Sequence, residues 1–167
     1  GCITQSPESI LEERRLRTAV RIHPEHEMGY LRLAQFLKNQ RRYAETFYVL
    51  KQGQQRVADS LLMVRLEGSL YQSQDDKEKV ETFYENIFLQ YPEETVFLLD
   101  RARWHWSKSR PNKALQDLET LFKLDPENFE AHYLAGLIRI GIGEDEKALE
   151  NLIKAGSLQD GHAEIWS

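Results

Sequence analysis

PEETVFLLDRARWHWSKSRPNKALQDLETLFKLDPE (residues 92–127) begins and ends on the same dipeptide, Pro-Glu, with Pro92 and Pro126 standing 34 positions apart. Each proline closes a run of helical period, and that interval is the length of a helix-turn-helix repeat. Counting back from Pro92 by the same interval reaches Ala58, and one further step reaches Pro24. The register holds along the chain with no insertion or deletion. Such a chain reads as an array whose units bury their surface against neighbours, not as a globule around one core.

Four turn segments recur in the same register: Asn39-Gln40-Arg41-Arg42, Ser73-Gln74-Asp75-Asp76, Ser107-Lys108-Ser109-Arg110 and Gly141-Ile142-Gly143-Glu144. These polar or glycine-bearing breakers split each unit into two helices, while the segments around Pro24, Ala58, Pro92, Pro126 and Asp160 separate one unit from the next. Between the turns apolar residues recur near every 3.6 positions. Ala114, Leu115, Leu118, Leu121 and Phe122 share one stripe, with Lys113, Asp117, Glu119 and Lys123 falling elsewhere. Matching stripes are Ala44, Phe47, Tyr48 and Leu50, then Val80, Phe83, Tyr84 and Ile87, then Ala148, Leu149, Leu152 and Ala155. Ser6-Pro7 supplies a capping hydroxyl ahead of a proline that suits a first helical turn. Helices are expected over residues 7–22, 26–38, 42–56, 60–73, 76–90, 94–106, 111–123, 128–140 and 145–156, with a last one beginning near 162.

The composition, 41% apolar and 29% charged with 9 Gly and 5 Pro, is that of a folded chain and not of a disordered or collagenous one. A formal charge of -5 argues against a general binder of nucleic acid or anionic membrane. The charge is uneven: residues 1–60 carry ten Lys/Arg and seven Asp/Glu (+3), and residues 61–167 carry twelve and twenty (-8). Such polarity could orient a partner or a second copy, but scatter over solvated helix faces is the simpler account. The single cysteine, Cys2, permits no internal disulfide and no cysteine-based metal site. No run approaches the roughly 20 apolar residues of a membrane span.

Gly1-Cys2 has the form of the end of a bacterial lipoprotein cleavage site, in which the cysteine carries the lipid. On that reading Cys2 is a lipidation site and the protein belongs to the bacterial cell envelope, with membrane contact through the lipid alone. Otherwise Cys2 is an incidental thiol and the protein is cytoplasmic.

Leu124-Asp125-Pro126, followed by Gly136, Gly143, Ala148, Leu152, Ala155 and Leu158, resembles the tetratricopeptide repeat, which places Gly in its first helix and at the turn, Ala in its second helix and Pro at its close. The preceding unit carries Ala102, Ala114, Leu118, Leu124 and Pro126, and the one before it Gly68, Tyr71, Ile87 and Pro92. Trp166 falls where the family's Trp opens a further unit. The resemblance implies an all-α, right-handed α-solenoid divided into the second helix of a unit (residues 1–24), four units (25–58, 59–92, 93–126 and 127–160) and the start of a further repeat (161–167). Departures stand at Glu67 and Arg101, where the family usually has Leu, at Ala58 and Asp160, which replace the closing Pro, and at Pro111, which replaces an aromatic. They bear on local packing and pitch.

Candidate chemistry is sparse. His23 and His26 flank Pro24, but no acid or thiol is expected beside them on one helix face, so no metal site is assigned. His105 and His132 lie within helical stripes as core or groove residues. Gly141-Ile142-Gly143 follows a helix and lacks the further Gly and Lys-Ser/Thr of a phosphate loop. Asp75-Asp76 and Glu144-Asp145-Glu146 suit the positive N-termini of helices. Arg14, Arg15, Arg17 and Arg21 cluster on the first helix, but Glu8, Glu12 and Glu13 stand at pairing distance, so no nucleic-acid stripe forms. No catalytic residue and no cofactor are assigned.

What the resemblance implies is binding on the concave face formed by the first helices. Carried onto this chain, the lining is Arg32, Gln35 and Lys38, then Arg65, Ser69 and Gln72, then Leu99, Arg103 and Trp106, then Tyr133, Leu137 and Ile140. It runs from polar-basic to apolar and suits an extended or helical peptide with an acidic end and an apolar end. The expected function is a non-catalytic protein-protein interaction scaffold. The alternatives are a structural segment that self-associates through its open repeat ends, or the docking array of an enzyme whose catalytic domain lies elsewhere.

Overall fold

A computed structural model describes residues 6–164, and the side chains of residues 6–159. Among the described residues the regular elements are all α-helices: α1 (Pro7–Ile22), α2 (Glu27–Asn39), α3 (Tyr43–Arg56), α4 (Leu61–Ser73), α5 (Lys77–Gln90), α6 (Thr95–Ser107), α7 (Pro111–Leu124), α8 (Phe129–Gly141) and α9 (Asp145–Glu164). None is long and apolar enough to cross a membrane. The chain forms two compact units, Gly1–Val80 and Glu81–Ser167, with their boundary inside α5.

Side chains chosen for the purpose start the helices. Ser6 Oγ accepts from the Ser9 N–H at 3.2 Å ahead of Pro7, Ser60 Oγ from Met63 at 3.1 Å, and Asn128 Oδ1 from Ala131 at 3.0 Å. Each satisfies one of the donors that a helix start leaves without a partner. The first helices of the hairpins stop by a shared device. Arg41, Asp75, Ser109 and Gly143 all take positive φ, between 56° and 78°, and they stand 34 residues apart in sequence. At Arg41 the N–H bonds Lys38 O while Arg42 N–H bonds Leu37 O; Ser109/Arg110 and Gly143/Glu144 repeat the pair. This is the Schellman arrangement, which reverses the chain and satisfies carbonyls at the helix end.

In the first unit α2 packs on α1, α3 and α4, around Tyr30, Leu33, Ala34, Leu37, Val49, Leu50, Met63 and Leu70. In the second, α6 packs on α7, α7 and α6 on α8, and α8 on α9, around Leu98, Ala102, Ala114, Leu118, Leu121, Ala131, Leu134 and Ile138. The repeat register is visible in burial: Thr46, Val80, Ala114 and Ala148, one per hairpin, are all enclosed. The position takes only small or β-branched residues, and the Thr46 hydroxyl is accommodated by donating to Arg42 O at 2.9 Å.

Three expectations are corrected. Ala44, Tyr48 and Leu149 face solvent, and the buried side of α3 is Thr46, Val49, Leu50 and Gly53; Val49 and Gly53 complete the stripe where the outward residues were merely apolar. Asp117 is buried on α7, paired with a charge on α6. Finally, no turn interrupts the chain at Asp160: α9 runs from Asp145 to Glu164. With aspartate in place of proline, the backbone N–H stays available to continue the helix. Trp166 and the rest of the expected further repeat after Glu164 lie outside the described residues.

Candidate binding faces of the first helices

Where the family usually places Leu, Glu67 and Arg101 are both drawn in with partners. The Glu67 carboxylate is met by Lys51 Nζ at 3.0 Å and Gln54 Nε2 at 2.8 Å. Arg101 forks onto Asp117, and its guanidinium lies 4.5 Å over the Phe88 ring. One repeat on from Asp117 stands Asn151, also buried, which accepts from Arg139 at 2.7 Å and meets His132 Nδ1 at 3.1 Å. His132 stacks on Phe122, and its Nε2 reaches Pro126 O at 2.9 Å. His105 is enclosed 3.9 Å from Asp117, and burial pushes its imidazole below the usual histidine range. These groups lie within the packed hairpins, whereas several side chains on the outward faces of the first helices are exposed.

In the first unit this surface lies on α2 and α4. Lys38 Nζ donates to Ser69 Oγ at 2.8 Å, which ties the two helices together, and Ser69 in turn donates to Leu66 O. Lys38 is half-buried, and the loss of water around its ammonium holds its pKa below the usual lysine value. Gln35 is exposed and bonded to Asn39, Arg32 is exposed, and Arg65 and Gln72 are half-buried. Along this face Arg32, Gln35, Lys38, Arg65, Ser69 and Gln72 are polar or basic.

In the second unit the surface lies on α6 and α8. Arg103 Nη2 bonds Glu130 Oε2 at 2.8 Å, so its charge is already answered from the start of α8. Trp106 is half-buried against the core and fills the space over Gly141, where a Cβ would come within 2.5 Å of the ring. On α8, Tyr133, Leu137 and Ile140 are 48%, 39% and 52% exposed, and the Phe129 ring lies parallel to that of Tyr133. Phe129, Tyr133, Leu137 and Ile140 form an apolar stripe at helical spacing beside Trp106.

Leu99 does not belong to this surface. It is 5% exposed and part of the core, because α8 packs over α6. Tyr133, one repeat later, has no helix over it among the described residues. Two features escaped the sequence reading: Phe129, which sits at the helix start, and Glu130, whose role depends on a contact 27 residues away. Cys2 lies outside the described residues.

No protein-family model matches the chain, and no curated protein matches it. Solved structures do. A crystal structure of MamA superposes with a TM-score of 0.64 at 16% identity, over 91% of this chain and 89% of that one. YrrB, described as a TPR protein with an unusual peptide-binding site, gives 0.58 at 17% over 93% and 82%. A tetratricopeptide repeat protein from Parabacteroides merdae gives 0.69 at 16% over 90% and 59%. The helical hairpins, their shared left-handed turn position and these likenesses agree: the chain has the helix-turn-helix solenoid fold of the tetratricopeptide-repeat proteins.

Proposed function

We propose that the chain is a non-catalytic scaffold that captures a peptide or a partner helix on the outward face of α6 and α8. The observation that carries this reading is the stripe of Tyr133, Leu137 and Ile140, large apolar side chains left in water next to the half-buried Trp106. Contiguous exposed apolar surface on a protein this rich in charge is characteristic of an interaction site, and aromatic anchors dominate such sites. YrrB, of the same fold, is described by its peptide-binding site. The partner segment is amphipathic, with its apolar residues on this stripe; an acidic residue would compete with Glu130 for Arg103. On the first unit, Arg32, Gln35, Lys38, Arg65, Ser69 and Gln72 offer a separate polar face suited to carboxylates.

A peptide library selected on the wild-type chain provides ligands for the test. Tyr133→Ala and Leu137→Asp, both at exposed positions, should weaken the selected peptides about tenfold or more, with the helical circular dichroism unchanged. Peptides that bind both variants with wild-type affinity would refute the assignment. Arg65→Glu and Arg103→Glu then report whether either basic group takes part.

A second reading, head-to-tail self-association, is favoured by a different observation. On α9, Glu146, Leu149, Glu150 and Ile153 share an outward face, while α1 presents Leu11, Arg14, Arg15, Thr18 and Ile22 at the same spacing. Apolar and charged positions are complementary, and a contact of one end with the other is heterologous and extends. Light scattering across concentration decides it: a monomer throughout ends this reading. The envelope location rests on Gly1-Cys2 alone, and the intact mass of the natural product, with or without a lipid adduct, tests it.

A further inference from the structure

Pro24 turns the chain between α1 and α2, and the residues around it bring together more than the sequence suggested. His23 caps the end of α1 and His26 precedes α2. Between them, Glu25 Oε1 lies 3.8 Å from His23 Nδ1 and 3.3 Å from His26 Nε2. The imidazoles are stacked, with centroids 4.7 Å apart and 10° between planes, and one ligand atom from each of the three residues falls within 4.8 Å of the others. No acid is expected beside these histidines on one helix face, yet Glu25 in the turn itself approaches both. In the turn, adjacent residues converge.

From this geometry we infer that His23, Glu25 and His26 form a surface binding site for a divalent transition-metal ion of the zinc type. Two imidazoles and one carboxylate are a donor set suited to zinc and its neighbours and poorly suited to magnesium or calcium, which prefer oxygen alone. Zinc holds nitrogen and oxygen at about 2.0–2.2 Å, so ligand atoms around it stand about 3.3 Å from one another. The carboxylate and His26 already meet that spacing, and side-chain rotation suffices to bring in His23. A neutral imidazole can direct its lone pair at the ion by keeping its proton on the other nitrogen.

The backbone under the site is held in advance. His26 N–H bonds His23 O at 3.1 Å, and Pro24 O accepts the hydroxyl of Tyr30, a core residue, at 2.9 Å. Binding therefore orders only side chains, which limits its entropic cost. All three side chains are more than half exposed, so water completes the coordination sphere of an open three-ligand site. Because the ligands come from the end of one helix and the start of the next, the ion acts as a clip on the α1–α2 turn.

The test is calorimetric titration with Zn²⁺ in a Cys2→Ser background, which removes the amino-terminal thiol as a competing ligand. One ion per chain should bind, and His23→Gln, Glu25→Gln and His26→Gln should each weaken binding about tenfold or more. Mg²⁺ in excess should not compete. Zn²⁺ should also raise the unfolding temperature of the wild-type chain but not of His26→Gln. Absence of saturable binding at 1 mM Zn²⁺ (about 4 kcal/mol at that Kd), or binding retained in all three variants, would overturn the assignment.

Discussion

Arg101 on α6 donates to both carboxylate oxygens of Asp117 on α7, from Nε at 2.9 Å and from Nη2 at 2.5 Å, while the face of its guanidinium rests on Phe88. The pair replaces the apolar contact that an array of this kind ordinarily makes at the first of these positions. Its carboxylate is almost wholly enclosed. Removing the cation alone leaves a buried charge without compensation, whereas removing both leaves a packable apolar site. Arg101→Leu should therefore lower stability by about 3 kcal/mol, and Arg101→Leu with Asp117→Leu by about 1 kcal/mol or less. Urea unfolding of the two single variants and the double variant measures this as a coupling energy. Additive losses would show the pair to be energetically independent.

The left-handed position shared by Arg41, Asp75, Ser109 and Gly143 makes opposite predictions in different repeats. A residue with a Cβ pays roughly 1–2 kcal/mol for that conformation, and glycine does not. Against this, glycine has about 0.5–1 kcal/mol more conformational entropy to lose. Ser109→Gly should come out stabilising by about 0.5 kcal/mol, and Gly143→Ala destabilising by about 1 kcal/mol. No atom lies within 4 Å of a Cβ built at Gly143, so crowding would not contribute. Thermal unfolding of both variants reads the signs directly.

Those turns explain why the fold was legible. Pro92 and Pro126 mark period, and polar segments at 41, 75, 109 and 143 mark where helices must reverse, all through local chemistry. Asp117 and Glu67 were not legible, because a charged residue on a helix is placed outward by periodicity unless its partner is known. Those partners are 16 residues away. Leu99 and Tyr133 occupy the same place in successive repeats, yet one is core and the other surface, because burial there is decided by the helix packed on top. The apolar residues exposed on α8 follow from the helical pattern, whereas the burial of Leu99 follows only from the packing of α8 over α6.

Gly53 sits in the last turn of α3, and the reason for a glycine there is close approach. A Cβ there would come within 2.6 Å of Met63 Sδ and 2.8 Å of Tyr30 Cγ. Alanine would gain about 1 kcal/mol in helix propensity and lose about 1–3 kcal/mol to overpacking. The loss should prevail, because Tyr30 and Met63 are both buried in the core. Gly136→Ala meets Leu152 at 2.7 Å, but Leu152 is only half-buried and can turn aside, so its cost should be smaller. Comparing the two variants by urea unfolding tests whether enclosure of the neighbour sets the penalty. A larger loss for Gly136→Ala would contradict it.

Glu13 on α1 ties that helix to the α2–α3 turn. Arg42 donates to both of its oxygens at 2.5 and 3.0 Å, and Arg17 adds a contact at 2.8 Å while reaching Glu45. Hydrogen bonds from Arg42, opposed in part by burial and aided by Arg17, draw the Glu13 carboxyl from 4.5 down to about 2. The folded chain thus binds a proton here less readily than the unfolded chain. This contribution to stability is complete above about pH 4.5 and is lost as pH falls toward 2. Glu13→Gln keeps the shape but loses the charge, so at pH 7 it should be less stable than wild type by about 1–2 kcal/mol. The difference should shrink between pH 4.5 and 2 and vanish below, where the wild-type carboxyl is itself neutral. Urea midpoints for both proteins across this range provide the measurement. A difference that stays constant down to pH 2 would mean that the charge of Glu13 contributes nothing to holding α1 in place.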